Sequence, residues 1–212
     1  RGLVGSEMCI RDRREAGYAA AATSRELVVQ DPENDVEFFF LRPRDIATYV
    51  ASGTLDVGIT GEDMLADSGV SAQTVLELSF APSTFRLAAP VGTAKSVKDA
   101  NGKRIATSYA GILANWLTQE GIKADIVKLD GAVENAVRLG VADFVADVVA
   151  TGTTLKQAGL EIVGDPIFKS QAILIARPDL SDRSELDVFT RRLQGVIVAR
   201  TYVLVDYDIP ND

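Results

Sequence analysis

The 212-residue chain has no histidine, one cysteine and fewer basic than acidic side chains. Without histidine there is no imidazole general base, no Ser-His-Asp or Cys-His catalytic set and no imidazole metal ligand. A single cysteine excludes an intramolecular disulfide and a thiolate zinc site, and it fits a reducing compartment. The net charge of −8 argues against a nucleic-acid partner. No apolar run approaches the roughly 20 residues that span a bilayer, so no membrane segment is expected.

The first thirteen residues, RGLVGSEMCIRDR, differ from the rest of the chain. They show neither helical nor strand periodicity and no signal-peptide pattern. Met8–Arg13 is what the codons ATG-TGT-ATA-AGA-GAC-AGA encode, and these resemble the mosaic-end sequence of transposon-based sequencing adapters. We therefore predict that residues 1–13 are a translated library scar, with a disordered native tail as the alternative. The only cysteine, Cys9, would then not belong to the native protein.

The rest of the chain carries an internal repeat. In each half an amphipathic helical stretch ends at a glycine, an aspartate follows three residues later, and a short apolar strand leads into a glycine-containing loop. Three pairs of equivalent residues are 87 positions apart: Gly53 and Gly140, Asp56 and Asp143, Leu87 and Leu174. Alternating strands and helices predict an α/β fold of two similar lobes, with mostly parallel sheets and flanking helices.

The limits of the lobes follow from the apolar strands that close each half, 84–90 and 171–177. Lobe one is predicted over 14–88 plus about 174–200, and lobe two over 89–173. Residues 201–212 are predicted to be a junction to a further domain. Two lobes imply a cleft, in which ligands bind near the carboxyl ends of strands. A single continuous doubly wound sheet is the alternative.

One loop has the composition of a phosphate-binding loop. The strand Phe144–Val149 leads into Ala150, Thr151, Gly152, Thr153 and Thr154, where a helix is predicted to start. Small residues expose backbone N–H groups, and threonine hydroxyls donate as well, so a monophosphate can be held without many cations. Asp147, at the end of the strand, can accept hydrogen bonds from vicinal ribose hydroxyls. The alternative is an ordinary strand-to-helix turn with a threonine N-cap.

The run D-V-V-A-T-G-T-T resembles the phosphoribosyl-diphosphate (PRPP) signature of phosphoribosyltransferases, although the common form has two adjacent acids and this chain has Ala146 in the first position. Six segments occur in a characteristic order: Arg42–Ile46, Asp56–Asp63, Lys103–Tyr109, Asp130–Glu134, Gly140–Asp143 and Asp147–Leu155. Together they resemble the ATP phosphoribosyltransferases, which catalyse the first step of histidine biosynthesis. The resemblance extends over residues 14–212.

This resemblance implies a periplasmic-binding-protein-like fold with the active site between the lobes, in a cytoplasmic enzyme. It also implies a reaction: N1 of the adenine of ATP attacks C1 of PRPP, and Mg²⁺-bound pyrophosphate leaves. Catalysis of that kind is mostly positioning and electrostatic stabilisation, which does not require histidine.

The resemblance assigns roles on the PRPP side. The loop of Ala150, Thr151, Gly152, Thr153 and Thr154 would hold the 5-phosphate, and Asp147 would take the ribose hydroxyls. Glu134 would face the ribose or the Mg²⁺-pyrophosphate; otherwise it is an acid favoured by a helix dipole. Arg42 would contact a phosphate through its fork of donors, with an ordinary surface arginine as the alternative. Apart from Glu134, no direct metal ligand is predicted.

On the ATP side the resemblance points to Gly61, Asp63 and Tyr109. Gly61 and Asp63 follow a lobe-one strand that the repeat places opposite the phosphate loop. Arg25 and Arg86 are further candidates, for which a structural role is the alternative, as it is for Tyr109.

The two ends depart from the family pattern. Members begin with a basic K-G-x-L loop that reaches the nucleotide, and residues 1–13 replace it, so weak or absent turnover is expected. Tyr202–Asp208, a predicted strand, resembles the junction of the long form, which continues into a histidine-binding regulatory domain. Histidine inhibition is therefore expected only with that domain. A homodimer is expected here and a hexamer for the complete long form. The alternatives are another phosphoribosyltransferase or a non-catalytic two-lobe solute-binding protein.

Overall fold

The chain folds into strands and helices that alternate over most of its length. The structure, a computed structural model, describes residues 2–4, 15–18, 27–149, 152–180 and 184–201. The strands are Gly2–Val4 (β1), Val28–Asp31 (β2), Val36–Phe39 (β3), Val57–Gly61 (β4), Gln73–Glu77 (β5), Ser83–Pro90 (β6), Arg104–Thr107 (β7), Asp125–Lys128 (β8), Phe144–Val149 (β9), Leu160–Ser170 (β10) and Ala172–Ala176 (β11). The α-helices are Pro43–Ala51 (α1), Glu62–Ser68 (α2), Ala110–Glu120 (α3), Thr153–Gln157 (α4) and Ser184–Thr201 (α5). Short 3-10 helices cover Val97–Ala100 and Val133–Asn135.

The strands form three sheets of mixed direction. A five-stranded sheet has the order β10-β6-β9-β7-β8, and two three-stranded sheets have the orders β4-β11-β5 and β1-β3-β2. Among the described strands, five neighbouring pairs are antiparallel and three are parallel. The predicted α/β class is confirmed, but the sheets are mixed rather than mostly parallel. Four of the five antiparallel pairs involve β6 or β11, each of which runs against both of its neighbours, and the fifth is the pair of β2 and β3.

The internal repeat appears in the strand pairing. β11, from the second half of the sequence, pairs antiparallel with β4, and Leu174 lies opposite Ile59. β6, from the first half, pairs antiparallel with β9, and Leu87 lies opposite Ala146. Shifting the first pair by 87 positions, forward for Ile59 and backward for Leu174, produces the second pair. Each half therefore contributes its last strand to the sheet of the other half.

The chain passes from one sheet to another at two points that join the halves. The first lies between the end of β5 at Glu77 and the start of β6 at Ser83, and the second is Gln171, between β10 and β11. These changes put β1 to β5 and β11 on one side of the molecule and β6 to β10 on the other. The predicted limits of the lobes, at residues 88/89 and 173/174, stay a prediction.

The structure confirms one of the two predicted helices that end at a repeated glycine and not the other. Pro43 occupies the first turn of α1, and Gly53, just beyond its end, has a φ of +76°, as expected for a helix C-terminus. The helix predicted before Gly140 is wrong: Val133–Asn135 forms one 3-10 turn, and further turns follow. Ala132 precedes it with a left-handed backbone at φ +49°. The segment is then too short to offset the cost of nucleating an α-helix.

The structure describes only part of each end of the chain. Gly2–Val4 pairs in parallel with β3, and three residues are too few to show strand periodicity in a sequence. The strand predicted over Tyr202–Asp208 lies outside the described residues, as do Met8–Arg13. The origin of residues 1–13 stays a prediction.

The core lies on both faces of the central strands. In β11, Ala172, Leu174 and Ala176 pack into one apolar cluster, whereas Ile173 and Ile175 pack into another against α1. A strand that is buried on both faces reads as a continuous apolar run, which is why AILIA shows no alternation. Within the described part, none of the helices combines the length and the apolar character needed to cross a membrane.

Candidate active site

Most of the predicted site residues follow the carboxyl ends of strands. β7, β8 and β9 are parallel neighbours, so their carboxyl ends share one edge of the five-stranded sheet. Tyr109 follows β7, Glu134 follows β8, and Asp147 lies near the end of β9. The structure brings the carboxylate of Asp147 within range of the charge of Glu134 and the hydroxyl of Tyr109 within range of the charge of Asp147, so that both the pKa of Asp147 and the pKa of Tyr109 are raised.

Asp147 is the half-buried carboxylate at this edge. Burial raises its pKa, the negative charge of Glu134 raises it further, and a hydrogen bond from the N–H of Val148 to its Oδ1, at 2.8 Å, opposes them. Arg86 lies directly opposite in β6, but its Nε donates to Thr84 Oγ1 at 3.3 Å. The carboxylate thus lies in an acidic neighbourhood, available to groups that donate hydrogen bonds.

Glu134 lies in a different setting from the one expected. It is half-buried in the 3-10 turn Val133–Asn135 instead of starting an α-helix. A single turn carries little of a helix macrodipole, so the interpretation as a dipole-favoured helix acid loses its basis. Its carboxylate acts on Asp147 instead.

The predicted phosphate loop is described in part. Ala150 and Thr151 lie outside the described residues. Gly152 has a φ of +74° and precedes α4, which begins at Thr153, one residue earlier than predicted. A Cβ at Gly152 would come no nearer than 3.7 Å to Val149, so the backbone conformation, not space, requires glycine. Thr153 and Thr154 are exposed.

Asp63 is a buried carboxylate at the start of α2. Its Oδ1 accepts a hydrogen bond from the N–H of Met64 at 2.9 Å, and its own N–H donates to Ser170 Oγ at 3.0 Å. A Cβ on Gly61 would collide with this carboxylate, so a larger residue there would displace the side chain of Asp63. A cavity of about 220 Å³ adjoins these residues, and its lining includes Pro43, Thr60, Gly61, Asp63, Phe80 and Ser170.

Tyr109 connects the two sides of the molecule. Its ring is buried and packs against Phe85 with 5.4 Å between the ring centres. Burial raises the pKa of its hydroxyl well above the usual value, and the charges of Asp63 and Asp147 add to this rise. The phenol therefore stays neutral at physiological pH and can donate a hydrogen bond.

Arg42 lies apart from this group. It is the exposed residue immediately before α1, and its side chain makes no hydrogen bond or ion pair that the structure describes. Its neighbour Pro43 lines the cavity next to Asp63. The structure therefore places Arg42 near the cavity and does not bring it into contact with Asp147 or Glu134. Arg25 lies outside the described residues.

Sequence reasoning missed three residues beside the site: Arg44, Asp67 and Ser170. Arg44 pairs with Asp67 and reaches the backbone next to Tyr109. A second arginine within Arg42–Ile46 is the only sequence signal that points to it. Ser170 is 107 positions from Asp63, a distance over which no sequence pattern indicates a contact.

No group of three or more side chains suited to a metal ion occurs among the residues that the structure describes. Asp147 and Glu134 are nevertheless two neighbouring carboxylates, and carboxylate oxygens are the ligands that Mg²⁺ prefers. They fit a metal ion held mainly by a phosphorylated ligand.

Comparisons with known proteins indicate the family of this chain. Residues 42–195 match the HisG family model, described as ATP phosphoribosyltransferase. The chain is 59% identical over 203 residues to an ATP phosphoribosyltransferase of Paenarthrobacter aurescens, covering 93% of this chain and 71% of that protein. A solved structure of the ATP phosphoribosyl transferase (HisG:HisZ) complex from Thermotoga maritima superposes with a TM-score of 0.82 at 27% identity, covering 93% of this chain and 98% of that one.

The fold is also similar to that of periplasmic binding proteins. The substrate-binding protein of an amino acid ABC transporter superposes with a TM-score of 0.58 at 14% identity, covering 78% of this chain and 75% of that one. At this identity the likeness concerns the fold alone, and it confirms the predicted periplasmic-binding-protein-like class. The family match over most of the chain and the high identity to curated relatives establish that this chain belongs to the ATP phosphoribosyltransferase family.

Proposed function

We propose that this chain transfers the phosphoribosyl group of PRPP to N1 of the adenine of ATP and releases pyrophosphate, the first step of histidine biosynthesis. The observation that carries the proposal is that Tyr109, Glu134 and Asp147 follow strands ending at one edge of the five-stranded sheet, while the charge of Asp63 acts on Tyr109 from the other sheet, in a chain of this family. The enzyme is a glycosyltransferase that works in the cytoplasm.

On the PRPP side, the loop of residues 150–154 binds the 5-phosphate. Gly152 supports this role because its left-handed backbone lets the chain turn sharply into α4, whose first turn presents N–H groups toward the loop. Asp147 accepts hydrogen bonds from the ribose hydroxyls. Its acidic surroundings suit a partner that donates hydrogen bonds and would repel a phosphate placed directly on it.

The pyrophosphate lies beside Glu134, and Arg42 would reach it from its exposed position before α1. Arg42 supplies a guanidinium fork for a phosphate group, and its exposure leaves it able to reach one. The pyrophosphate oxygens would hold Mg²⁺, with Glu134 as the side chain of this chain that reaches it. The bound ion would neutralise the charge that grows on the leaving group. The chain itself supplies position and the exclusion of water, which is the usual basis of catalysis in such transfers.

On the ATP side, the wall of the nucleotide site is formed by Gly61, Asp63 and Tyr109. The buried carboxylate of Asp63 is an acceptor for the donor groups of the nucleotide, and the neutral hydroxyl of Tyr109 is a donor. Gly61 leaves room for Asp63 to turn toward the cavity. The two substrates would thus approach from opposite sides, with Tyr109 between them.

The proposal also concerns assembly and inhibition. We expect a homodimer for this chain, a hexamer for the complete long form, and histidine inhibition only where the regulatory domain is present. The Thermotoga maritima structure, a HisG:HisZ complex, shows that a relative of this fold assembles with another protein.

The decisive experiment measures product formation by the purified chain. With Mg²⁺, PRPP and ATP, mass spectrometry is expected to detect phosphoribosyl-ATP together with pyrophosphate at a low rate, because residues 1–13 stand where the family has its nucleotide-reaching loop. Asp147→Asn is expected to abolish this product. PRPP with free adenine or other free bases is the control and is expected to give no product. Product from a free base alone would identify a different phosphoribosyltransferase. Binding of a small solute without PRPP binding would identify a solute-binding protein instead.

A further inference from the structure

An ion pair crosses from one side of the molecule to the other beside Tyr109. Arg44 lies on α1 and Asp67 on α2, both next to the sheet that contains β4. Their partners are backbone groups of Ser108, between β7 and α3, and of Gly111 and Ile112, in the first turn of α3. We call this set the Arg44–Asp67 clamp.

Arg44 makes three interactions within the clamp. Its Nη1 lies 2.6 Å from Asp67 Oδ2, and its Nη2 donates to the carbonyl oxygen of Ser108 at 2.8 Å. The centre of its guanidinium lies 5.1 Å from the centre of the Tyr109 ring. A planar fork that donates in two directions and stacks on a ring is specific to arginine, so lysine would keep only part of this arrangement.

Asp67 supplies the cap that α3 does not provide for itself. The N-cap of α3 is Tyr109, which makes no side-chain capping bond. Asp67 Oδ1 instead accepts hydrogen bonds from the N–H groups of Gly111, at 2.8 Å, and Ile112, at 3.2 Å. A carboxylate at a helix N-terminus is favoured by both hydrogen bonding and the helix dipole.

The packing at this point is too close for a larger residue. A Cβ on Gly111 would collide with the backbone carbonyl oxygen of Asp67. The side chain of Asp67 is only 7% exposed, so its charge depends on Arg44 and on the α3 N–H groups for compensation. A buried charge with these partners holds the two elements in one relative position.

We propose that Arg44 and Asp67 are positioning residues that fix the start of α3, and with it Tyr109, relative to Asp63 across the site. The catalytic consequence rests on the proposed function, because Tyr109 is assigned there to the ATP side. The clamp itself is a property of the fold and can be measured without turnover.

Four variants test the proposal: Arg44→Met, Arg44→Lys, Asp67→Ala and, as the matched control, Lys98→Met. Lys98 donates to the carbonyl oxygen of Glu120 at the opposite end of α3 and pairs with its carboxylate at 3.1 Å. The control therefore removes a cation that contacts the same helix far from Tyr109.

Two readouts separate positioning from mere stability. Hydrogen exchange in a peptide spanning residues 108–113 is expected to accelerate about tenfold in Arg44→Met and Asp67→Ala, as loss of charged hydrogen bonds requires. The KM for ATP is expected to rise about tenfold in Arg44→Met, with kcat and the KM for PRPP within about twofold of the parent. Arg44→Lys should fall between parent and Arg44→Met, and Lys98→Met should change neither readout.

The outcomes distinguish the two proposals. Unchanged exchange in Arg44→Met would overturn the clamp, even if Asp67→Ala fails to fold. Faster exchange with an unchanged KM for ATP would overturn the link to Tyr109. A parent chain that binds neither ATP nor PRPP would refute the proposed function, while the exchange measurement would still decide whether the clamp exists.

Discussion

At the residue scale, Gly152 has a backbone conformation that favours glycine, and it lies in the loop that we propose binds the 5-phosphate of PRPP. Its φ of +74° lies in the left-handed region, while a Cβ there would find space, with Val149 Cγ1 at 3.7 Å. A side chain at this position is therefore opposed by backbone strain of about 1–2 kcal/mol and not by a clash.

Gly152→Ala is predicted to lower the free energy of unfolding by about 1 kcal/mol and to raise the KM for PRPP about tenfold. Gly152→Asn should be milder, because asparagine tolerates the left-handed region. Urea denaturation and initial-rate kinetics measure the two effects. The control is Gly195→Ala in α5, where the added Cβ meets nothing within 4 Å, and which should stabilise the helix slightly. Equal behaviour of Gly152→Ala and the parent would contradict the proposed loop.

A second residue-scale prediction concerns pH. Burial raises the pKa of Asp147, and the negative charge of Glu134 raises it further. Glu134→Gln removes that charge, so the pKa of Asp147 falls and its ionised form persists to lower pH. If the ionised form binds the ribose, the acidic limb of kcat/KM for PRPP moves to lower pH.

The measurement is a pH–rate profile of the parent, Glu134→Gln and the control Glu33→Gln, an exposed acid in the turn between β2 and β3. The control should leave the limb in place. A limb that stays in place or moves to higher pH in Glu134→Gln would show that Asp147 does not set it. The absolute rate of the variant decides nothing here, since Glu134 is also proposed to face the pyrophosphate.

At the scale of elements, the exchanged strands β6 and β11 hold the two halves together. Leu87 and Leu174 are fully buried at equivalent positions of the repeat. Leu87→Ala and Leu174→Ala are each predicted to lower the free energy of unfolding by about 2–5 kcal/mol, because each leaves a cavity. The control Leu139→Ala, at a residue 74% exposed, should change it by no more than about 0.5 kcal/mol. Urea denaturation measures all three, and a small effect at either buried leucine would refute the strand exchange.

The ion pair between Arg104 and Asp143 joins the starts of β7 and β9. Hydrogen bonds from the side chain and the backbone N–H of Arg104 lower the pKa of Asp143 to about 2. A carboxyl whose folded pKa lies below its unfolded value of about 3.9 stabilises the protein above that value and loses the effect as pH falls. Its stabilisation should therefore disappear between about pH 4 and pH 2.

Asp143→Asn is accordingly predicted to lower Tm at pH 7, with a difference from the parent that shrinks as the pH falls through this window. Thermal unfolding followed by circular dichroism measures it. Asp179→Asn is the control, because its carboxylate is 77% exposed and lies 3.8 Å from Arg177, and such pairs contribute little. A pH-independent difference for Asp143→Asn would mean that the carboxylate charge is not what stabilises the fold.

At the scale of the whole molecule, the return crossing from β10 to β11 is tied to the start of α2. Ser170 Oγ accepts a hydrogen bond from the N–H of Asp63, and the carbonyl oxygen of Gln171 accepts one from the N–H of Glu62 at 2.9 Å. Both bonds adjoin the proposed ATP side. The crossing thus couples the relative position of the two sides to the binding wall.

Ser170→Ala leaves the buried N–H of Asp63 without its acceptor, which is predicted to cost about 1–3 kcal/mol of stability. It should also raise the KM for ATP more than the KM for PRPP, because Asp63 lies on the ATP side. The control is Ser52→Ala, which removes an exposed hydroxyl at the end of α1. Equal rises of both KM values would indicate a general loosening instead of a local one.

Much of the fold could be predicted from particular residues. Pro43 and Gly53 bound α1 because one is compatible with a first helical turn and the other with a left-handed backbone. The 87-residue offset indicated two similar halves, and the strand register shows the same offset. By contrast, the direction of β6 and β11 and the loss of the helix before Gly140 depended on connections and packing that a local pattern does not encode.

The candidate site divides in the same way. The residue types at Asp63, Tyr109, Glu134 and Asp147 could be selected from the sequence because each lies in a segment resembling a known family. Their electrostatic coupling could not, because it depends on which strands end at a common edge and on how the other sheet brings Asp63 toward Tyr109. Sequence reasoning did not identify Arg44 and Asp67, because their backbone partners are more than 40 positions away.

The sequence by itself determined the chemistry that this protein can offer: no imidazole or disulfide, an acidic surface, a small-residue loop after an apolar strand, and a duplicated α/β plan. These properties follow from residue types and short spacings, which every conformation of the chain shares. Only the tertiary structure decided that each half completes the other's sheet, that the charges of Asp63 and Asp147 both act on Tyr109, and that Asp67 caps α3. Such contacts join residues distant in sequence, and burial and charge give them their strength only once the chain has folded.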